Sequence, residues 1–206
     1  MAIALQYNRN RAVQYGHRHV FAPNPQFANM DTAGGGGDCT NFTSQCLLAG
    51  GWNMDYRYSG YDGEWWYRHR GTAPFDEDQN DWWSCTWSLP ALLERYLAFN
   101  GGVRLDLQNY PRLAGRLRLG DVIFYDWDGD GLFDHSAMVT RRREGVPYVT
   151  YRTLAPLEPI RDGHWQLRFR RRARNIIGML LPDELPLYET APDWSKLVPC
   201  DRRRLA

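Results

Sequence analysis

Lysine and long apolar runs are the clearest absences from this sequence. Lys196 is the single lysine among 25 basic residues, a bias that fits the coding genome better than a functional need. No stretch approaches the roughly 18 uninterrupted apolar residues of a membrane span, and "MAIALQYNRNRAVQYGHRH" lacks the basic start and apolar centre of a signal peptide. We therefore expect no membrane span and no ordinary secretion signal.

An excess of one charge is also absent. The formal net charge is +1 and 43% of the residues are hydrophobic, so composition excludes disorder and a general attraction to nucleic acid. The arginine-rich stretch "RFRRRAR" alternates with apolar residues, as a half-exposed strand does. We therefore predict no nucleic-acid partner, and the true partner has to be inferred from a site.

The chain has room for one well-buried domain, since it has 206 residues. We place that domain at residues 1–180. The remaining segment, 181–206, is interrupted by prolines and ends in basic residues, which predicts an irregular tail.

Cysteines are few, and their spacing argues against a disulfide framework. The sequence has four of them, Cys39, Cys46, Cys85 and Cys200. Cys39 and Cys46 would lie two turns apart on one helix, about 10 Å, which is too far for a bond. Cys46, Cys85 and Cys200 are predicted to be structural thiols.

Three helices and several strands follow from the periodicity. Asp38 is a favourable N-cap, and the apolar spacing from Cys39 to the Gly50-Gly51 stop predicts a helix of about three turns. Other helices are predicted over "YNRNRAVQYGHRH" and, after a cap at Ser88, over "LPALLERYLAFN". Strands are predicted over "DVIFYDW", "DHSAMVTRR", "VPYVTYRTL" and "HWQLRFRRR". The fold class is therefore α+β with a mainly antiparallel sheet.

Cys39 is the candidate nucleophile because it lies in the first turn of its helix. The positive end of a helix and a nearby imidazolium both lower the pKa of a thiol. Among the five histidines, only His135 begins a strongly apolar strand after a tight loop, which would present the imidazole to a helix packed on the sheet. The alternative is a small buried cysteine beside a glycine loop, and the spacing leaves that alternative open.

The loop before His135 is rich in aspartate. Asp126, Asp128, Asp130 and Asp134 follow a calcium-loop spacing in "DWDGDGLFDH", where oxygen ligands suit a hard cation. Ala137 replaces the usual glutamate at the last position, so an EF-hand is excluded. The sequence leaves two interpretations open, a structural Ca²⁺ site or a solvated turn.

Tryptophans are concentrated between residues 52 and 87, in a region with little periodicity that we interpret as a long loop. Flat aromatic side chains suit either a groove for an extended polymer or a compact core. The candidates for a substrate groove are Trp52, Trp66, Trp83 and Trp87.

Four blocks resemble the putative amidase domain family, a branch of the papain-like, NlpC-type cysteine peptidases common among bacterial cell-wall enzymes. These blocks are "YNRNRAVQYG", "DCTNFTSQCLLAGGW", "WWSCTWS" and "GDVIFYDWDGDGLFDHSAMVT". The resemblance implies a papain-like fold in which the nucleophile helix packs on an antiparallel sheet. It also implies that Cys39 is the nucleophile and His135 the base, with helix-start amides near Asp38 and Thr40 holding the oxyanion.

One position departs from the family pattern. Where a "YHT"-like stretch is expected to orient the base, this chain has "YRT" with Arg152, and arginine cannot accept a hydrogen bond from imidazole. A turn centred on Glu144-Gly145 would place Arg152 opposite Ala137, on the face of His135, although a bulge would shift this register. The third catalytic role is therefore open among Arg152, Thr150, a main-chain carbonyl and a loop acid, and Arg152 could instead bind a substrate carboxylate.

The function that the resemblance implies is cysteine-dependent amide hydrolysis through a thioester, with peptidoglycan or a peptide as substrate and no cofactor required for the chemistry. We expect the protein to act outside the cytoplasm. The alternatives are a non-catalytic glycan- or peptide-binding module and a cysteine-protease effector, which would have an immunity or delivery protein as partner.

Overall fold

The computed structural model describes residues 5–31, 37–58, 63–69, 81–153, 157–167, 172–185, 187–188 and 191–200. The helices are α1 (Arg9–His19), α2 (Cys39–Ala49), α3 (Cys85–Ser88) and α4 (Pro90–Phe99), with a 3-10 turn at Pro111–Arg116. The strands are β1 (Leu5–Gln6), β2 (Tyr67–Arg68), β3 (Trp82–Trp83), β4 (Val103–Asp106), β5 (Val122–Asp126), β6 (His135–Arg143), β7 (Val146–Tyr151), β8 (Ile160–His164), β9 (Asn175–Leu180) and β10 (Glu184–Leu185).

The main sheet contains, within the described residues, six strands in the order β4-β9-β5-β6-β7-β8. Every paired neighbour runs antiparallel. Two short strand pairs, β1 with β10 and β2 with β3, lie outside this sheet. The mixture of helices and antiparallel strands confirms the α+β class.

The two faces of the sheet belong to different hydrophobic cores. The first core joins Phe42 and Leu47 of α2 to Phe124 and Met138 of the sheet. The second core contains alternate positions of the same strands, Ile123, Tyr125, Ala137, Val139, Val149 and Tyr151. Because side chains alternate along a strand, β6 contributes to both cores.

The predicted helices are confirmed, but the cap predicted for α4 is wrong. Helix α2 begins at Cys39 and ends at Ala49, as the apolar spacing indicates. Helix α4 begins at Pro90, after Leu89, and no side chain caps it. Ser88 is the last residue of the short helix α3, so it cannot serve as the predicted cap.

The predicted strands are right in the middle of the chain and wrong further on. β5, β6 and β7 lie where the pattern places them. The strand predicted over "HWQLRFRRR" is an error, because β8 ends at His164 and the Leu167 N–H bonds back to the His164 carbonyl at 3.0 Å. Residues 168–171 of that stretch lie outside the described part of the chain. β9 was not predicted, although it lies between β4 and β5 in the sheet.

The segment after residue 180 is part of the domain, which corrects the predicted boundary. It is mostly irregular, as its prolines indicate, but Leu181 and Leu185 are buried in the first core. β10 pairs with β1, and the Cys200 N–H donates to the Trp83 carbonyl at 2.8 Å. These contacts hold the segment against the domain.

A disulfide joins Cys85 to Cys200 across 115 residues of sequence. The prediction that these two are structural thiols is therefore wrong. Cys39 and Cys46 are both free and buried, as their helical spacing requires. In the described part of the chain, no helix is long and apolar enough to cross a membrane.

Candidate active site

Cys39 is the first residue of α2, and its thiol lies against the start of β6. The Ser136 main-chain N–H lies close enough to the sulfur to lower the pKa of the thiol, and the Thr40 Oγ1 lies 3.7 Å from the sulfur. Ser136 directly follows His135, the first residue of β6. The structure therefore brings Cys39 to the peptide unit that follows the predicted base.

Hydrogen bonds between hydroxyl groups connect α2 to β6 close to the thiol. The Ser136 Oγ lies 3.2 Å from the Thr40 Oγ1 and 3.1 Å from the Thr43 Oγ1. Thr43 also donates to the Cys39 carbonyl at 2.9 Å. Ser136 and Thr43 were not predicted, because a serine or threonine in a strand or helix carries no recognisable signal of this contact.

The first turn of α2 keeps its main-chain donors uncapped. The first bond of the helix runs from the Phe42 N–H to the Asp38 carbonyl at 2.8 Å, so the preceding N–H groups have no acceptor within the helix. Asp38 occupies the N-cap position, but its side chain makes no cap hydrogen bond, contrary to the prediction. The Thr40 main-chain N–H instead favours the thiolate form of Cys39, since it lowers the pKa of the thiol.

Burial decides the protonation of the thiol in this conformation. Cys39 is 5% exposed, and burial raises the pKa of its thiol, while the donors Ser136 and Thr40 oppose that rise. The sequence predicts the opposite direction, because the pattern identifies the helix start but not the depth of the thiol. At neutral pH Cys39 therefore carries its proton.

His135 is enclosed by aromatic rings on the face of the sheet opposite α2. Its ring lies edge-on to Tyr151 at 4.4 Å between centroids, with Tyr125 at 5.6 Å and Trp127 at 5.7 Å. The expectation that the sheet presents the imidazole directly to α2 is thus wrong, because Ser136 and not His135 faces the helix. Helix α2 approaches the strand at Ser136, one residue after His135.

The imidazole of His135 is neutral. Burial lowers its pKa to about 3 from the usual 6.5, and the Nε2 atom has no hydrogen-bond partner among the described residues. His135 and Cys39 therefore start as an uncharged pair, and no thiolate-imidazolium ion pair is present.

The buried imidazole should make the protein less stable in acid. Because the folded pKa of about 3 lies below the ordinary 6.5, the unfolded chain binds more protons, and stability falls as the pH drops below about 6.5. Between about pH 7.5 and pH 5 this term costs about 2 kcal/mol. Urea denaturation of wild type and His135→Gln should show that wild type loses this much more. The exposed His164 gives a control, and a His164→Gln effect of the same size would contradict the assignment.

Arg152 does not contact His135. A bulge between Val139 and Arg141 shifts the register of β6 and β7, so that Met138 pairs with Thr150. This shift turns Arg152 toward α2, where its guanidinium forms a buried ion pair with Asp38. The predicted position opposite Ala137 is therefore wrong, and Arg152 is not the residue that orients the base.

Thr150 is not that residue either. Its hydroxyl lies 2.6 Å from the Thr140 Oγ1 and accepts the Asp162 N–H at 3.1 Å. Within the described residues, His135 is surrounded by the rings of Tyr125, Trp127 and Tyr151, which the sequence analysis did not select. The aromatic residues in "FYDW" and "TY" are a sequence signal that could have indicated these neighbours of His135.

The tryptophans proposed for a groove belong to the interior. Trp52, Trp66 and Trp87 are buried, at 3%, 0% and 0% exposure. Trp83 is half-buried and stacks on Tyr67, with ring centroids 6.0 Å apart. The groove is therefore a wrong interpretation, because these rings pack on other aromatic rings of the domain, among them Trp65, Tyr67 and Trp194.

The aspartate loop brings three carboxylates together. Ligand oxygens of Asp126, Asp128 and Asp130 lie within 4.8 Å of one another. Asp126 also accepts the Gly129 N–H at 2.6 Å. Asp134 lies outside this group, which corrects its assignment as a ligand. One of its oxygens accepts the Trp127 N–H at 2.7 Å.

The sequence profile of the putative amidase domain matches residues 6–172, which include Cys39 and His135. The chain belongs to this family. Family membership indicates an amidase-type hydrolase, which agrees with a thiol held at a helix start.

Two curated relatives come from Bacillus subtilis (strain 168). "Uncharacterized protein YhbB" is 34% identical over 152 residues, which cover 73% of this chain and 42% of that protein. "Uncharacterized protein YjcM" is 26% identical over 163 residues, which cover 76% of this chain and 33% of that protein. The chain therefore spans less than half the length of either relative. No solved structure matches the chain.

Proposed function

We propose that the protein is a cysteine amidase that cleaves an amide bond through a thioester, on a papain-like, NlpC-type fold. One observation carries the proposal: the start of α2, which carries Cys39, is hydrogen-bonded through the Thr40 hydroxyl to Ser136, the residue that follows His135. The packing of α2 on an antiparallel sheet supports the fold assignment. Membership of an amidase family supports the reaction.

The chemistry starts from the uncharged pair. His135 removes the proton from Cys39 as the sulfur attacks the amide carbonyl carbon, and the uncapped N–H groups of the first turn donate to the oxyanion. The tetrahedral intermediate then expels the amine, which receives this proton from His135. Water then attacks the thioester with His135 again as base, and the carboxylic acid and the free thiol are released.

Access to the pair requires a local movement. Cys39 is 5% exposed and His135 is 2% exposed, so a substrate carbonyl cannot reach the sulfur while both remain covered. Opening also hydrates both groups, which favours their charged forms. Proton transfer to His135 should therefore accompany substrate entry.

The substrate class that we propose is peptidoglycan, and the place of action is outside the cytoplasm. The Cys85–Cys200 disulfide supports this location, because disulfides persist in oxidising compartments. A cell-wall peptide presents the amide bonds that this chemistry needs. The resemblance to NlpC-type cell-wall enzymes also favours this substrate.

Digestion of purified peptidoglycan tests the proposal. The wild-type protein should release fragments with a new amine and a new carboxyl group, identified by mass spectrometry. Retention on the polymer without cleavage would support a non-catalytic binding module instead. The protonated state of the Cys39 thiol favours this alternative. Cleavage of proteins but not of peptidoglycan would indicate an effector, with an immunity or delivery protein as partner.

We also propose that Asp126, Asp128 and Asp130 bind a structural Ca²⁺. Their clustered oxygens suit a hard cation, and an ion would relieve repulsion among them close to His135. Adding Ca²⁺ should raise the Tm of wild type, and EGTA should reverse the rise. Asp130→Asn weakens the site, so a rise of equal size in that variant would contradict the proposal.

A further inference from the structure

Asp38 precedes the nucleophile, and its carboxylate is bonded away from the helix that it begins. It is fully buried. Arg152 donates to one oxygen, while the Met30 N–H at 3.0 Å and the Asn41 side-chain amide at 2.6 Å donate to the other. These donors occupy the carboxylate, so the N–H groups of the first turn receive no cap from it.

Arg152 links several elements around the thiol. It directly follows β7, which is the neighbour of the strand that carries His135. Its guanidinium pairs with Asp38, donates to the His19 carbonyl at 3.2 Å and lies 5.3 Å from the centre of the Phe42 ring. One side chain therefore connects the sheet, the end of α1 and the residue before the nucleophile.

A second connection runs beside the first. The Thr153 hydroxyl donates to Asp31 at 3.1 Å, and the Asp38 N–H donates to the same Asp31 oxygen at 3.1 Å. Consecutive residues after β7 thus hold both the side chain and the main chain of Asp38. Together they set how far the start of α2 lies from β6.

The backbone of Asp38 reflects this arrangement. Its φ of −101° and ψ of 1° differ from the extended conformation of a typical N-cap, whose oxygen accepts a first-turn N–H. Without Arg152, only the Met30 N–H and the Asn41 amide among the described residues hold this carboxylate, and its other oxygen can turn toward those donors. The ion pair therefore keeps a competing carboxylate away from the groups that surround the sulfur.

We propose that Arg152 is a positioning residue that acts on Cys39 through Asp38: it fixes the start of α2 against β6 and prevents Asp38 from capping the first turn. This role rests on the proposed function of Cys39 as nucleophile. It gives the arginine of "YRT" a task other than orienting His135. A displacement of about 1 Å at a reacting group can cost about 100-fold in rate, so a loss of this order is within reach.

The test follows Cys39 with iodoacetamide across a pH range, with the alkylated residue identified by peptide mass spectrometry. In Arg152→Met the midpoint of Cys39 alkylation should move up by about one pH unit, because a displaced helix start takes the thiol away from the main-chain amides of Ser136 and Thr40, which lower its pKa. Peptidoglycan hydrolysis should fall at least about tenfold. Arg9→Met is the matched control, because it breaks a 2.7 Å ion pair with another fully buried aspartate, Asp121. It should lower the Tm without moving the midpoint.

A double variant separates positioning from stability. Asp38→Asn combined with Arg152→Met removes both buried charges, so the Tm should recover, while hydrolysis should stay low. An unchanged midpoint in Arg152→Met, or hydrolysis that recovers together with the Tm in the double variant, would overturn the proposal. If wild type cleaves no peptidoglycan, the proposed function fails, whereas the alkylation profile still decides the role of Arg152.

Discussion

Replacing Cys39 by alanine should lower amide hydrolysis at least about 1,000-fold, because the covalent route needs the sulfur and only binding and oxyanion contacts would remain. The side chain is small and makes few contacts, so the fold should survive, with a Tm within a few degrees of wild type. The measurement is release of peptidoglycan fragments at equal protein concentration, with circular dichroism to confirm folding.

Cys46 offers the matched control for this substitution. It is a free, buried thiol on the same helix, but it lies mid-helix, where the main-chain N–H groups already bond within the helix. Burial also raises the pKa of its thiol far above the ordinary value. Cys46→Ala should keep nearly full activity, and equal hydrolysis by the Cys39→Ala and wild-type proteins would end the nucleophile hypothesis.

Loss of the Cys85–Cys200 disulfide should lower the free energy of unfolding by about 4–5 kcal/mol, the value for a loop of this size. The bond closes a loop across 115 residues of sequence, so it restricts more than half of the unfolded chain. Urea denaturation of wild type with and without dithiothreitol gives the measurement. The Cys85→Ser/Cys200→Ser double variant should match reduced wild type.

Reduction has an internal control in that double variant. Its remaining cysteines, Cys39 and Cys46, are free thiols, so dithiothreitol should leave its denaturation curve unchanged. A wild-type curve that does not respond to reductant would show that the bond contributes no stability. A shift in both proteins would assign the effect to something other than this disulfide.

The helix and strand that carry Cys39 and His135 could be predicted because local signals suffice. The apolar spacing after Asp38 fixes the start of α2, and the apolar run after the aspartate loop fixes the start of β6. Which face of the sheet receives His135 depends on the pleat at the strand end. Packing against α2 sets this orientation of His135, and no local sequence pattern indicates it.

Long-range features could not be predicted for a common reason. The bulge near Thr140 moves Arg152 from the face of His135 to the neighbourhood of Asp38, and no residue in "MVTRRREGVPYV" signals it. The pairing of Cys85 with Cys200 likewise depends on where the chain folds back. Asp134 was assigned as a ligand by spacing, whereas its bond to the Trp127 N–H depends on the conformation of the whole loop.

The tryptophans show the limit of composition. A cluster of rings fits a ligand groove and a core equally well until burial is known. In this fold Trp52, Trp66 and Trp87 are buried, so they belong to the interior. Burial of large aromatic side chains stabilises a region with little regular structure.

Because the two faces of the sheet belong to different cores, the nucleophile and its base pack in different surroundings. Cys39 belongs to α2, which packs on one face of the sheet, whereas His135 is surrounded by aromatic rings on the other face. A substitution at Tyr151 would change the surroundings of the imidazole and leave the packing of α2 intact. The basicity of His135 and the placement of Cys39 can therefore be tuned independently, by evolution or by design.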